Sequence, residues 1–282
     1  MVGRCLALIC AVNYLLSTLT AQEYLLRFKN HQFEQIAIDE QKNIYLLNPQ
    51  EATLSKFFKI QNYDSSLVIG GKNLSLRESF IKPSDILIPD SKTIFLVDNL
   101  ANDIKFLNTN LKILKIWNLN QLKEEYQPFQ IHSATITPTG EMFIQNKLNS
   151  LIYRINVFGE IDRTIGGNNF AEASITDNAQ LVCTKEWLFV WVKNEKTIFQ
   201  FDHNGNFKKS FKISNEIENI FSDVNYLMAH DKNQVFLFYK NEKITLFIQH
   251  HSPIIDAYLI DNHIYILDTN GICHYSLKTS NH

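Results

Sequence analysis

One strand recurs along the chain. Ile94-Phe95-Leu96-Val97-Asp98 has counterparts at Ile44–Asn48, Met142–Asn146, Leu188–Val192, Val235–Tyr239 and Ile264–Asp268. Each is an apolar run of strand length rich in β-branched and aromatic residues. Each follows a turn signal, such as Pro89-Asp90-Ser91 or Pro138-Thr139-Gly140. Read as second strands, the first four steps between these copies are 50, 48, 46 and 47 residues, and the last is 29. Four-stranded sheets repeating at that period are the signature of a β-propeller.

The remaining strands fall into place around this one. Unit two adds Asp103–Leu107 and Leu111–Trp117. Unit three adds Leu151–Asn156 and Ile161–Ile165. In unit four Thr197–Asp202 leads through His203-Asn204-Gly205, where Asn-Gly readily takes positive φ, to Phe207–Ile213. Units five and six read as lacking a fourth strand. Lys193-Asn194-Glu195-Lys196 and Lys240-Asn241-Glu242-Lys243 read as the same second-to-third-strand turn in adjacent units. Glu23–Lys29 is a strand with no hairpin partner beside it. A ring needs its first and last sheets joined, or exposed edges remain. The expectation is an all-β, six-bladed β-propeller over 22–282, closed by the N-terminal strand pairing with the last blade.

Residues 1–21 read as a secretory signal peptide. Arg4 is the positive start, Cys5–Leu16 the apolar run and Ser17–Ala21 a small, neutral cleavage region. That run is too short to span a bilayer, and no later stretch is long enough. The expected product is exported, periplasmic or extracellular, with a partner able to hold it at the outer membrane. The 27 Lys+Arg against 29 Asp+Glu give a net of −2, which gives no sign of the basic surface a nucleic-acid polyanion would want. Beyond the leader only Cys183 and Cys273 remain. They fall two units apart, so no disulfide between them is expected.

The pattern of Ile36–Asn48, Ile86–Asp98 and Tyr258–Asp268 resembles the NHL and TolB-like class of six-bladed propellers. Hydrophobic inner strand, aromatic second strand and Asp follow in the family's order. Units four and five depart from it with Val192 and Tyr239 at the Asp position. The Asn-, Lys- and Ile-rich composition, with leader and fold, also resembles secreted propellers of Bacteroidetes-type bacteria.

Chemistry is thinly marked. Asn48, Asp98, Asn146 and Asp268 share the position after the second strand. They read either as a ligand ring or, more plainly, as turn caps. Glu34, Asp85, His132, Ser133, Asp223 and Asp256 are expected where inner strands begin, around the mouth of the channel. Carboxylates with one His can bind a divalent ion or act as acid and base, whereas a hydrated polar funnel is the plainer reading. No nucleophile elbow, phosphate-cradling loop or His-rich ligand spacing occurs, so no catalytic residue, metal ligand or cofactor is assigned. Trp117, Tyr126 and Phe129 could anchor a partner or pack over the seam of blades two and three. The first expectation is a non-enzymatic platform that binds an envelope or secreted protein. The alternatives are a metal-dependent hydrolase or lyase at the channel mouth and a carbohydrate- or peptide-binding module.

Overall fold

The computed structural model describes residues 23–28, 33–71, 79–166, 175–176, 178–213, 216–223, 225–239, 242–244, 248 and 250–276. The signal-peptide reading of 1–21 lies outside them. The chain is a six-bladed β-propeller. Among the described residues the helical pieces are four three-residue 3-10 turns. Among those residues no helix is long and apolar enough to cross a membrane.

Strand β1 (Glu23–Arg27) precedes the first blade. Blade one is β2 (Gln35–Ile38), β3 (Ile44–Asn48), β4 (Thr53–Phe57) and β5 (Ser66–Gly70). Blade two is β6 (Pro83–Leu87), β7 (Thr93–Asp98), β8 (Asp103–Asn108) and β9 (Ile113–Asn118). Blade three is β10 (Ile131–Ile136), β11 (Met142–Asn146), β12 (Leu151–Ile155) and β13 (Ile161–Gly166). Blade four is β14 (Ala179–Cys183), β15 (Trp187–Val192), β16 (Thr197–Asp202) and β17 (Phe207–Lys212). Blade five is β18 (Asn219–Ser222), β19 (Leu227–His230), β20 (Val235–Tyr239) and β21 (Glu242–Ile244). Blade six is β22 (Ile254–Ile260), β23 (His263–Asp268) and β24 (Gly271–Ser276). Every blade is an antiparallel meander, and β1 adds to β24 as the fourth strand of blade six. Compactness divides the chain into two units. Blades one to four fall within 32–216, and blades five and six with β1 form the other.

Blade five corrects the register read from sequence. Val235–Tyr239 is its third strand, and the strand the reading overlooked is the first, Asn219–Ser222. The blade therefore has four strands. The two Lys-Asn-Glu-Lys copies are not equivalent either: the first turns between β15 and β16, whereas Glu242 and Lys243 of the second belong to β21 and its Lys240 and Asn241 lie outside the described residues.

Within each unit the core lies between blades. Phe143, Ile152 and Ile165 of blade three meet Leu181, Val190 and Phe201 of blade four. Phe95, Val97 and Ile104 of blade two meet Ile131, Ile144 and Tyr153 of blade three. In the smaller unit Phe221 and Met228 meet Ile254, Ile264 and Tyr275. Second strands are apolar on both faces because both faces are covered, so their runs lack alternation. Each such Leu or Ile stabilises by about 1.5–3 kcal/mol. Charge is also buried at these seams. Lys105, 2% exposed, lies 2.6 Å from Asp103 and 3.7 Å from the fully buried Asp98. Lys56 Nζ donates to the Thr109 carbonyl of blade two at 2.8 Å.

Candidate functional site

Strand register gives one equivalent residue at the start of each first strand. In the larger unit these are Gln35, Asp85, Ser133 and Gln180, which pair with Leu47, Val97, Gln145 and Trp191. In the smaller unit they are Asn219 and Asp256, paired with His230 and Leu267. All six are polar. Bulges fall just before Asp85, Ser133 and Asp256, and a bulge re-aims the side chain that follows it.

These polar side chains bond from blade to blade. Gln35 Nε2 donates to Asp85 Oδ1 at 3.0 Å. The Leu181 amide donates to Ser133 Oγ at 3.1 Å. Asn219 Nδ2 donates to Asp256 Oδ1 at 2.9 Å. Burial pushes the Asp85 carboxyl up to about 6, against the opposing pull of its bonds from Gln35 and Ser84. Asp85 is thus a carboxyl poised to exchange a proton near neutrality.

The other expected mouth residues scatter. Glu34 is exposed, and its backbone amide donates to the Leu47 carbonyl at 2.9 Å. His132 is half-buried on the bulge of β10, and its carbonyl accepts from Asn99 Nδ2 at 3.1 Å. Asp223 sits at the other end of its blade, in the β18–β19 turn, a consequence of the corrected register. There its Oδ1 accepts the Asn225 and Tyr226 amides, each at 2.7 Å. Asp90 makes the same kind of turn in blade two. Gln35, Gln180 and Asn219 were not singled out from sequence. Their signal was position, a polar residue opening each first strand, rather than residue type.

The position after the second strand is a turn cap. Asn48 Oδ1 accepts the Glu51 amide. Asp98 accepts the Ala101, Ile81 and Lys82 amides. Asn146 Oδ1 accepts those of Leu148 and Gln130. In blade five the residue doing this is Asp231, which accepts the Asn233 and Gln234 amides.

Blade six builds something further on the same position. Asp268 Oδ1 caps the turn through the Asn270 and Gly271 amides. Its Oδ2 faces side chains: the Tyr24 hydroxyl at 2.8 Å, His250 Nε2 at 2.6 Å and Cys273 Sγ at 3.9 Å. His250 Nδ1 lies 2.9 Å from the Tyr275 hydroxyl. His250, Asp268, Cys273 and Tyr275 are buried. Burial would push the Asp268 carboxyl up, but the bonds from His250, the Asn270 amide and Tyr24 outweigh it and hold the carboxyl below its usual range. Burial and the bond to Asp268 push the Tyr24 hydroxyl up to about 12. Cys183 and Cys273 are buried and take no part in a disulfide, and burial raises the Cys183 thiol.

Trp117, Tyr126 and Phe129 pack into the seam of blades two and three. The Tyr126 and Phe129 rings stand 5.7 and 5.4 Å from the Tyr153 ring. Other side chains are exposed nearby. Ile81, in the linker into β6, is 55% exposed. Leu100, in the β7–β8 turn, is 63% exposed, and Leu148, in the β11–β12 turn, is 55% exposed. A meander puts all three on the same face of adjacent blades. Their backbone is braced there, since the caps on Asp98 and Asn146 hold the Ile81 and Leu148 amides and fix the turn carrying Leu100.

No family model matches the chain, and no curated protein matches it. Solved structures do. A streptogramin B lyase is 13% identical, with a TM-score of 0.61 over 94% of this chain and 89% of its own. A gluconolactonase from Xanthomonas campestris is 10% identical, with a TM-score of 0.66 over 91% and 89%. A luciferin-regenerating enzyme is 10% identical, with a TM-score of 0.62 over 91% and 95%. At these identities the likeness is one of fold.

Proposed function

We propose that this chain is an exported, non-enzymatic propeller of the NHL and TolB-like kind that serves as a rigid platform for a protein partner of the cell envelope or secreted space. The observation that carries this reading is the trio Ile81, Leu100 and Leu148. Large aliphatic side chains held more than half exposed on stiff turns of adjacent blades cost hydration, and such patches mark interaction surfaces. The opposite face also exposes Ile60 and Phe158, but these stand on blades one and three with blade two between them. A photo-crosslinking residue placed at Leu100 or Leu148 should capture one discrete protein in the producing cell. The same residue at Ile60 should not. Equal capture at all three positions, or none at any, would remove the reading.

A second reading, a hydrolase or lyase working at the first-strand ends, is favoured by Asp85. Its raised carboxyl can give and take protons near neutral pH. The similar lyase and gluconolactonase share the fold, and a shared fold does not carry an activity. Turnover of a lactone or ester panel that Asp85→Asn abolishes would favour this reading over the platform.

A further inference from the structure

Blade six uses its turn-capping residue differently from blades two and three. In those blades Asp98 and Asn146 direct their oxygens to backbone amides of the linker and turn, with the Lys105 ammonium 3.7 Å from Asp98 Oδ2. Capping needs nothing more. Asp268 caps with one oxygen and turns the other toward an imidazole, a thiol and a phenol. The His, Cys and carboxylate donor atoms all lie within 4.8 Å of one another.

We propose that His250, Asp268 and Cys273 form a zinc site that fastens the N-terminal strand to the last blade. Imidazole, carboxylate and thiolate are the ordinary ligands of zinc, and the mixed soft and borderline set disfavours calcium or magnesium. Charge favours the ion: a carboxylate and a thiolate together neutralise Zn²⁺ at buried positions, and with three protein donors the fourth place of the tetrahedron falls to a water. Cys273 gives up its proton on binding, as a ligating thiol must. Donors around a tetrahedral zinc stand roughly 3.3 Å apart, from bond lengths of about 2.0–2.3 Å. His250 and Asp268 must therefore part slightly from 2.6 Å, while Cys273 closes from 3.9 Å.

The surroundings are those of a supported site. Tyr275 holds the far nitrogen of His250, which leaves Nε2 aimed at the carboxylate. The Asn270 and Gly271 amides hold the far oxygen of Asp268. Such outer partners orient metal ligands and tune their affinity. Tyr24 reaches the carboxylate from β1, and its register partner on β24 is Cys273 itself. Zinc would thus hold two ligands from blade six and one from the linker before it, directly beneath the strand that completes the sheet.

The test uses the whole mature chain. Stripped protein is titrated with Co²⁺ as a spectroscopic stand-in, then with Zn²⁺. One equivalent of Co²⁺ should give a thiolate-to-cobalt charge-transfer band that Zn²⁺ bleaches. Cys273→Ser should lose the band, Cys183→Ser should keep it, and Tyr275→Phe should weaken zinc binding by roughly 10–100-fold. Circular dichroism confirms that each variant retains its strands. A folded wild-type chain that gives no cobalt–thiolate band and retains no zinc on dialysis would overturn the site. So would a folded Cys273→Ser that keeps the band.

Discussion

The Gln35 side-chain amide donates to the Asp85 carboxylate across 3.0 Å, joining the first strands of blades one and two. A neutral donor stabilises the carboxylate less than a cation would, so burial wins and the Asp85 carboxyl rises to about 6. The folded chain therefore binds this proton more tightly than the unfolded one, where the ordinary value is about 3.9. Stability from this group is present at low pH and is lost as pH climbs from about 4 to 6. Above that range the ionised carboxylate is a standing cost. Asp85→Asn should raise the melting temperature at pH 7.5, by on the order of 1–3 kcal/mol of stability, and should change little at pH 4. Thermal melts at the two pH values decide it; equal shifts at both would refute the burial account.

Lys105 answers two carboxylates at one seam. Lys105→Ala leaves Asp98 and Asp103 buried without their cation, at a cost of about 3–5 kcal/mol. Lys105→Met keeps much of the volume but also strands the two acids, so it should rescue little. Lys105→Met combined with Asp103→Leu should recover a good part of the loss. Urea unfolding of the three variants checks the order.

Gly271 opens β24 where β1 crosses it. A Cβ there would fall onto the Leu26 carbonyl oxygen, which is backbone and cannot swing aside. Gly271→Ala should detach β1 while blades one to four stay folded. Hydrogen exchange would show this as lost protection at Tyr24–Arg27 with unchanged protection in β7 and β15. Uniform loss across the chain would contradict it.

Leu100→Asp and Leu148→Asp change exposed turn tips. Stability should move by no more than about 0.5 kcal/mol. Capture of a partner by a crosslinker at a neighbouring tip should drop sharply. A melting temperature that falls along with capture would point to a packing role instead.

Much of the ring was legible in the chain because second strands buried on both faces repeat as apolar runs between turn signals. Blade five failed on that same rule. Asn219–Ser222 is four residues long with only Ile220 and Phe221 apolar, while Val235–Tyr239 copies the second-strand pattern closely. Matched on that pattern, blade five shifts by one strand and Asp223 falls at the wrong end. The polar residues opening the first strands were half-legible: the acids stand out by type, but Gln35, Gln180 and Asn219 only by register. Of the Asp268 cluster only Asp268 is marked in the sequence, by its position after the second strand; its side-chain partners are not. Its His lies 18 residues from the carboxylate, and that pairing is made by a linker path no local spacing encodes.

Tyr24 and Asp268 meet although they stand 244 positions apart in the chain. Among the described strands β1 is made first, yet its berth exists only once β24 has been made. A ribosome that stalls before Gly271 releases a product whose leading strand has no edge to join, and whose final sheet stays open to strangers.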